Sequence, residues 1–312
     1  MTVPGREGQT FAGPSAVARW ASFVKLPHTV FALPFALTGV VLASRDVMPT
    51  VGQIGWVVLA FTAARFAAMA FNRIVDRDVD AKNPRTRMRE IPSGALSLGQ
   101  AKASVVLAGT VFVCASWMLN PLCGVLSPVA LAWVLFYSYC KRFTRWSHLV
   151  LGLGLGIAPV GGYLAVTGMW SAPAWMLPVL AMAVMTWSGG FDILYALQDV
   201  AFDRVNGLFS LPAALGAPRA LTVARVLHVG TVLLLALVGW ATGGGILYAA
   251  GVAAVAVLLL YEHSLVKPDD LSRLDAAFFT MNGVISITFF TFVLLERMLH
   301  LPSLATVLMG AA

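Results

Sequence analysis

The stretch Asn72-Arg73-Ile74-Val75-Asp76-Arg77-Asp78-Val79-Asp80-Ala81-Lys82-Asn83-Pro84-Arg85-Thr86-Arg87-Met88-Arg89-Glu90-Ile91-Pro92-Ser93-Gly94 decides how the rest of this chain reads. It interrupts two long apolar runs. Asn72, Asp76 and Asp80 recur every four residues, and a helix would stack their side chains on one face over about 12 Å. A basic loop with Lys82, Arg85, Arg87 and Arg89 follows. Carboxylates beside guanidinium groups can hold a divalent metal and the phosphates it bridges. A solvated helix end with local ion pairs is the alternative.

Working outward, the surroundings are those of a membrane protein. Of 312 residues, 59% are hydrophobic and only 11% charged, where soluble domains carry roughly 25%. Many apolar runs approach the roughly 20 residues that span a bilayer. No alternating ten-residue segments mark a transmembrane barrel. The expected fold is therefore an all-α, polytopic bundle of nine transmembrane helices, near 22–43, 53–72, 101–119, 121–140, 148–167, 173–192, 220–241, 246–262 and 278–298. A tail over 1–19, a membrane domain over 20–300 and a short tail over 301–312 complete the division. The first 19 residues lack the apolar core of a cleaved signal peptide.

Charge orients the bundle. Of the 21 Lys and Arg, all but Arg45, Arg65 and Arg297 fall in the N-terminal segment and the even-numbered loops. That bias places the N-terminus and those loops in the cytoplasm, across the cell (inner) membrane from the short turns at Arg45-Asp46, Asn120-Pro121, Ser171-Pro173 and Gly243-Gly245. It also accounts for the net charge of +7 without nucleic acid. Cys114, Cys123 and Cys140 lack metal-ligand spacing and read as buried apolar groups. Pro34 is expected to kink the first span, and His28 reads as an interfacial histidine. Trp20, Tyr137, Tyr139 and Trp146 read as interface anchors. The fifth span carries Gly152, Gly154, Gly156, Gly161 and Gly162, which suit close helix packing or room for a flat ligand.

A second acidic stretch ends the sixth span. Asp192, Tyr195, Asp199 and Asp203 again share one helical face. Asp192 directly follows an apolar run, where acids are costly and usually functional. Two acidic faces at cytoplasmic span ends, each followed by basic residues, suit a diphosphate held by two Mg²⁺ ions.

With both motifs in view, the chain resembles the UbiA superfamily of intramembrane prenyltransferases. The match comprises Asn72-x-x-x-Asp76-x-x-x-Asp80, Arg85-Thr86, Arg89, Pro92-Ser93-Gly94, Tyr139-x-Lys141-Arg142-x-Thr144, and Asp192-x-x-Tyr195-x-x-x-Asp199-x-x-x-Asp203 with Gly207 and Ser210. The resemblance implies Mg²⁺-dependent transfer of a polyprenyl group from polyprenyl diphosphate to an aromatic acid in quinone biosynthesis. It implies Asn72, Asp76, Asp80, Asp199 and Asp203 for the metal. General acid–base chemistry adds Asp192 or Tyr195 as the group that orients or deprotonates the acceptor, an interface anchor being the alternative for Tyr195. Lys141 and Arg142, with Arg85, Arg89 and Arg204, are the expected diphosphate-binding groups. Many members carry two lysines after the second motif; here Val205 and Phe209 stand there, beside Arg204. Asn72-Arg73 and the run Phe191–Val200 resemble the 4-hydroxybenzoate prenyltransferase-like subgroup associated with futalosine-pathway menaquinone, whose acceptor is 1,4-dihydroxy-6-naphthoate; no residue separates that acceptor from 4-hydroxybenzoate. Haem farnesylation and chlorophyll esterification use the same chemistry. An ion-coupled transporter is the reading from another class, but its acids would sit near midspan, where only Arg65 is charged here.

Overall fold

The structure, a computed structural model, describes residues 15–299, apart from the side chains of residues 26–31 and 279. The helices in chain order are α1 Ala16–Phe23, α2 Leu26–Ala43, α3 Val51–Val75, α4 Arg77–Lys82, α5 Leu98–Leu119, α6 Pro121–Cys140, α7 Ser147–Thr167 and α8 Met176–Ala196. A 3₁₀ turn, Leu197–Asp199, leads to α9 Val200–Val205 and α10 Leu211–Leu215; α11 Ala217–Ala241 and α12 Ile246–Leu265 follow, and a π-helical turn, Ala276–Met281, opens α13 Asn282–Met298. The chain is all-helical, and among the described residues eight helices are long and apolar enough to cross a membrane. The remaining expected span falls on α2, of which Ala32–Ala43 is counted as a shorter apolar helix. The expected boundary after residue 19 runs through α1, whose Trp20 packs on Phe23 and on Phe66 of α3. Trp20, expected as an interface anchor, thus also packs against its neighbours. The 301–312 tail and the His28 side chain lie outside the described residues.

Local chemistry sets the helix starts. Thr50 with Gln53, and Ser97 with Gln100, form capping boxes, and Asn120 caps α6 ahead of Pro121. These caps satisfy backbone N–H groups that the bilayer would leave without partners.

Helix α8 is central, buried along most of its length against α7 and α11. The bundle closes through α11–α12–α13–α2–α7 on one side and α3–α5–α6–α7 on the other. Glycines in α7 divide between the two roles left open by the sequence. A Cβ on Gly152, Gly156 or Gly162 would run into the backbone carbonyl of Met185, Ala181 or Ala36, so these three let helices touch. Gly154 and Gly161 line an internal cavity, as does Gly162, and nothing lies within 4 Å of where a Gly161 Cβ would stand.

At the end of the bundle with the short turns, polar clamps replace charge clusters. Arg45 pairs with Glu296 at 2.8 Å, and Glu296 also accepts the Gly245 and Tyr248 N–H groups that begin α12. Tyr163 donates to Asp46, and Asn120 and Gln53 donate to carbonyls at the end of α7.

Candidate active site

Both acidic motifs lie at the other end, on the same cavity. Its volume is about 370 Å³. Asn72, Asp76, Asp80, Arg85, Arg89, Lys141, Asp192, Tyr195, Asp199 and Asp203 all line it. Below them the walls turn apolar, with Phe61, Phe112, Leu126, Leu155 and Leu164.

Neither motif is one straight helical face. α3 stops at Val75, Asp76 takes φ −89° and ψ 2°, and α4 restarts at Arg77. The second motif repeats the device: after the 3₁₀ turn, Asp199 takes φ −100° and ψ 2°, and α9 restarts at Val200. Both aspartates occupy the sparsely populated bridge region common in active sites. The break redirects each chain just where apolar sequence gives way to polar.

Each carboxylate has its own partner. Asp76 accepts from Asn72 Nδ2 at 2.9 Å and pairs with Arg142 at 3.0 Å. Arg89 Nη1 donates to both oxygens of Asp80, at 2.7 and 2.8 Å. Arg85 reaches across to the other motif, donating through Nε and Nη2 to Asp199 at 3.1 and 2.7 Å. Its Nη1 donates to the Tyr195 hydroxyl at 3.2 Å. Asn83 adds a 3.1 Å bond to Asp199, and Ser210 donates to Asp203 at 2.8 Å. Tyr195 stacks on Phe278 of the π-helical turn, with ring centroids 4.1 Å apart.

Lys141 sits among the acids. Burial alone would lower its pKa, but Asp203, Asp199, Asp192 and Asp76 outweigh that and hold the ammonium above its usual value. Burial, and then the neighbouring Asp80, push the Asp76 carboxyl up; Arg142 and Lys141 partly offset this.

Three residues stand elsewhere than the sequence reading expects. Arg204 is exposed and donates to the Ala213 carbonyl at 2.9 Å, away from the cavity, because α9 turns its outer face to solvent. Arg142 does not line the cavity; it ties Asp76 to the Ser138 and Val75 carbonyls and so joins α6 to α3. Tyr137 lines the cavity instead of anchoring an interface. Gly207, at φ +66°, turns the chain so that Phe209 N–H donates to the Lys141 carbonyl.

Sequence reasoning gave no role to Asn83, His148 or Arg65. His148 Nδ1 lies 2.7 Å from Asp192. Arg65 lines the cavity deep within α3, about 16 Å before Asp76 along the helix. Its Nε has no hydrogen-bond partner among the described residues. The signal was available for Arg65: a charge inside an otherwise apolar span points to function. Nothing local marks His148.

Residues 32–284 match the UbiA prenyltransferase family. The 4-hydroxybenzoate octaprenyltransferase of Sodalis glossinidius is 30% identical over 251 residues, covering 80% of this chain and 84% of that protein. That of Aromatoleum aromaticum is 30% identical over 253 residues, with the same coverage. The apo structure of a UbiA homolog from Aeropyrum pernix K1 superposes with a TM-score of 0.79 at 31% identity, covering 86% of this chain and 98% of that one. A UbiA homolog from Archaeoglobus fulgidus bound to DMAPP and Mg²⁺ shares the fold at a TM-score of 0.67 and 18% identity, covering 90% and 99%. The chain belongs to the UbiA prenyltransferase family, an integral membrane class. Within that class it is a prenyltransferase, similar to the 4-hydroxybenzoate octaprenyltransferases.

Proposed function

We propose that this protein transfers a polyprenyl group from polyprenyl diphosphate to a small aromatic acid, 4-hydroxybenzoate or 1,4-dihydroxy-6-naphthoate, in ubiquinone or menaquinone biosynthesis. The reaction takes place at the cytoplasmic side of the cell membrane. One observation carries the reading: a single cavity joins two carboxylate motifs and their arginines at its mouth to an apolar interior. The polar end suits a diphosphate and the apolar end an isoprenoid chain. The Lys and Arg of the loops at the acidic end support the cytoplasmic orientation.

Among the described residues no three His, Cys, Asp or Glu side chains converge on one point, since Arg85 and Arg89 engage Asp199 and Asp80. The donors are nonetheless all oxygen, as Mg²⁺ prefers. Asn72, Asp76, Asp80, Asp199 and Asp203 would hold it, and bound there it would neutralise charge on the departing diphosphate. Arg85, Arg89 and Lys141 supply positive charge to the same group from a site shielded from water. They turn to phosphate oxygens as the substrate arrives. The allylic C–O bond breaks, and its electron pair leaves with the diphosphate. A ring carbon of the acceptor bonds to the allylic carbon, and one proton is lost as aromaticity returns. The apolar walls keep water from quenching the cation. Arg65, whose Nε has no hydrogen-bond partner among the described residues, is the partner for the acceptor's carboxylate.

The test supplies membranes containing the protein with labelled polyprenyl diphosphate and each aromatic acid in turn. A prenylated acid, formed with Mg²⁺ and lost on chelation, is expected. Product with neither acid would end the reading.

A further inference from the structure

His148 belongs to no motif and does not line the cavity. It sits in the first turn of α7, fully buried. Its Nδ1 lies 2.7 Å from Asp192 Oδ2, and its Nε2 lies 3.3 Å from the Leu211 backbone nitrogen. A backbone N–H can only donate, so Nε2 is the acceptor. In the neutral ring the proton is therefore on Nδ1 and is donated to Asp192. Oδ1 of Asp192 takes no hydrogen bond from the described residues, and Asp192 is part of the cavity wall.

The same stretch serves the second motif. Ser210, the residue before Leu211, donates to Asp203. Two successive residues thus hold one carboxylate directly and another through the imidazole. A base held by a third group whose tautomer is fixed is the usual arrangement for positioned proton transfer.

We propose that His148 is a positioning residue that aims Asp192 at the hydroxyl of the aromatic acceptor. This rests on the phenolic-acceptor reading above. The hydroxyl proton passes to Asp192 Oδ1 as a ring carbon bonds to the allylic carbon and the diphosphate leaves with the C–O electron pair. The ring proton is then released to water, and Asp192 returns its proton to the oxygen. One proton is released in total. His148 keeps its own proton throughout and acts by orientation.

The test compares His148→Phe and His148→Asn in the full-length protein at matched membrane levels. Two rates are read: prenyl transfer to the acceptor, and acceptor-independent release of diphosphate from labelled polyprenyl diphosphate. An asparagine amide can donate to Asp192 from near the position of Nδ1; phenylalanine cannot. His148→Phe should lower kcat for transfer at least about tenfold, with diphosphate release and the KM for polyprenyl diphosphate within about twofold. His148→Asn should recover most of the loss. A uniform fall of both rates would make His148 merely structural and overturn the proposal. So would a His148→Phe enzyme with near-parental transfer, or an asparagine variant no better than phenylalanine. If both variants lose their thermal transition, the role is structural and the proposal falls. If the parent transfers to no phenolic acceptor, the functional reading itself falls; if the parent transfers and His148→Phe equals it, only this inference does.

Discussion

The two acidic motifs look alike and are held differently. Each breaks its helix at the first aspartate, with nearly the same backbone angles at Asp76 and Asp199. Each presents two aspartates four residues apart. Yet the first motif is followed by a loop that supplies arginines to both: Arg89 to its own Asp80, Arg85 to Asp199 of the other. The second motif supplies no arginine to the cavity, since Arg204 turns outward. Its Asp203 has a serine hydroxyl in place of a guanidinium. Repetition of a pattern along the chain therefore does not make two equivalent half-sites. One loop supplies the arginines that engage Asp80 and Asp199, while Lys141 and Arg142 add positive charge from the end of α6.

The comparison breaks most readily at the aspartates. Asp76→Ala and Asp199→Ala should each lower prenyl transfer by about 10²–10³-fold or more, as losing a preorganised electrostatic group does. Both proteins should still insert at parental levels. Asp46→Ala, at the far end, is the control. Product formation at matched membrane levels checks this, and either variant within a few-fold of parent would sink the two-motif mechanism.

Arginine exchange sharpens the asymmetry. Arg85→Ala removes bonds to both Asp199 and Tyr195 of the second motif. It should cost about 10- to 100-fold in kcat/KM, from roughly 1.5–3 kcal/mol per hydrogen bond to a charged group. Arg85→Lys should recover little, because an ammonium cannot make the paired Nε and Nη2 contacts. An Arg85→Lys enzyme of parental rate would show that charge alone matters there.

Arg204→Ala should leave activity within about twofold, as exposed substitutions usually do. A large loss, measured in the same assay, would return Arg204 to the diphosphate site and make the motifs equivalent after all.

The smallest effect expected is on stability against pH. The Asp76 carboxyl is held above its ordinary value, chiefly by burial. The folded chain therefore binds that proton more readily than the unfolded chain. The contribution is fully present below the ordinary carboxylate range and is lost as pH rises through the raised value. Asp76→Asn should flatten that part of the pH profile of thermal unfolding, measured in detergent with chelator. Arg142→Ala removes a charge that lowers the Asp76 pKa, so it should extend the same window upward. An unchanged profile in Asp76→Asn would mean that another group carries it.

Much of this was legible along the chain because it depends on near neighbours. Apolar runs of membrane length, separated by Pro, Gly and charge, set the helices. The lopsided Lys and Arg gave the two ends of the bundle different chemistry, and four-residue spacing marked Asp76, Asp80, Asp199 and Asp203. The split among the α7 glycines was not legible, since all five are equally small. Only the packed neighbours decide that Gly156 meets a carbonyl while Gly161 faces open space. Nor was the service of Arg85 to an aspartate 114 residues away, the outward turn of Arg204, or the donation from His148 to Asp192. Such pairings depend on where α4, α7 and α9 come to rest against one another. That placement is fixed by packing over the whole bundle, and local spacing carries no information about it.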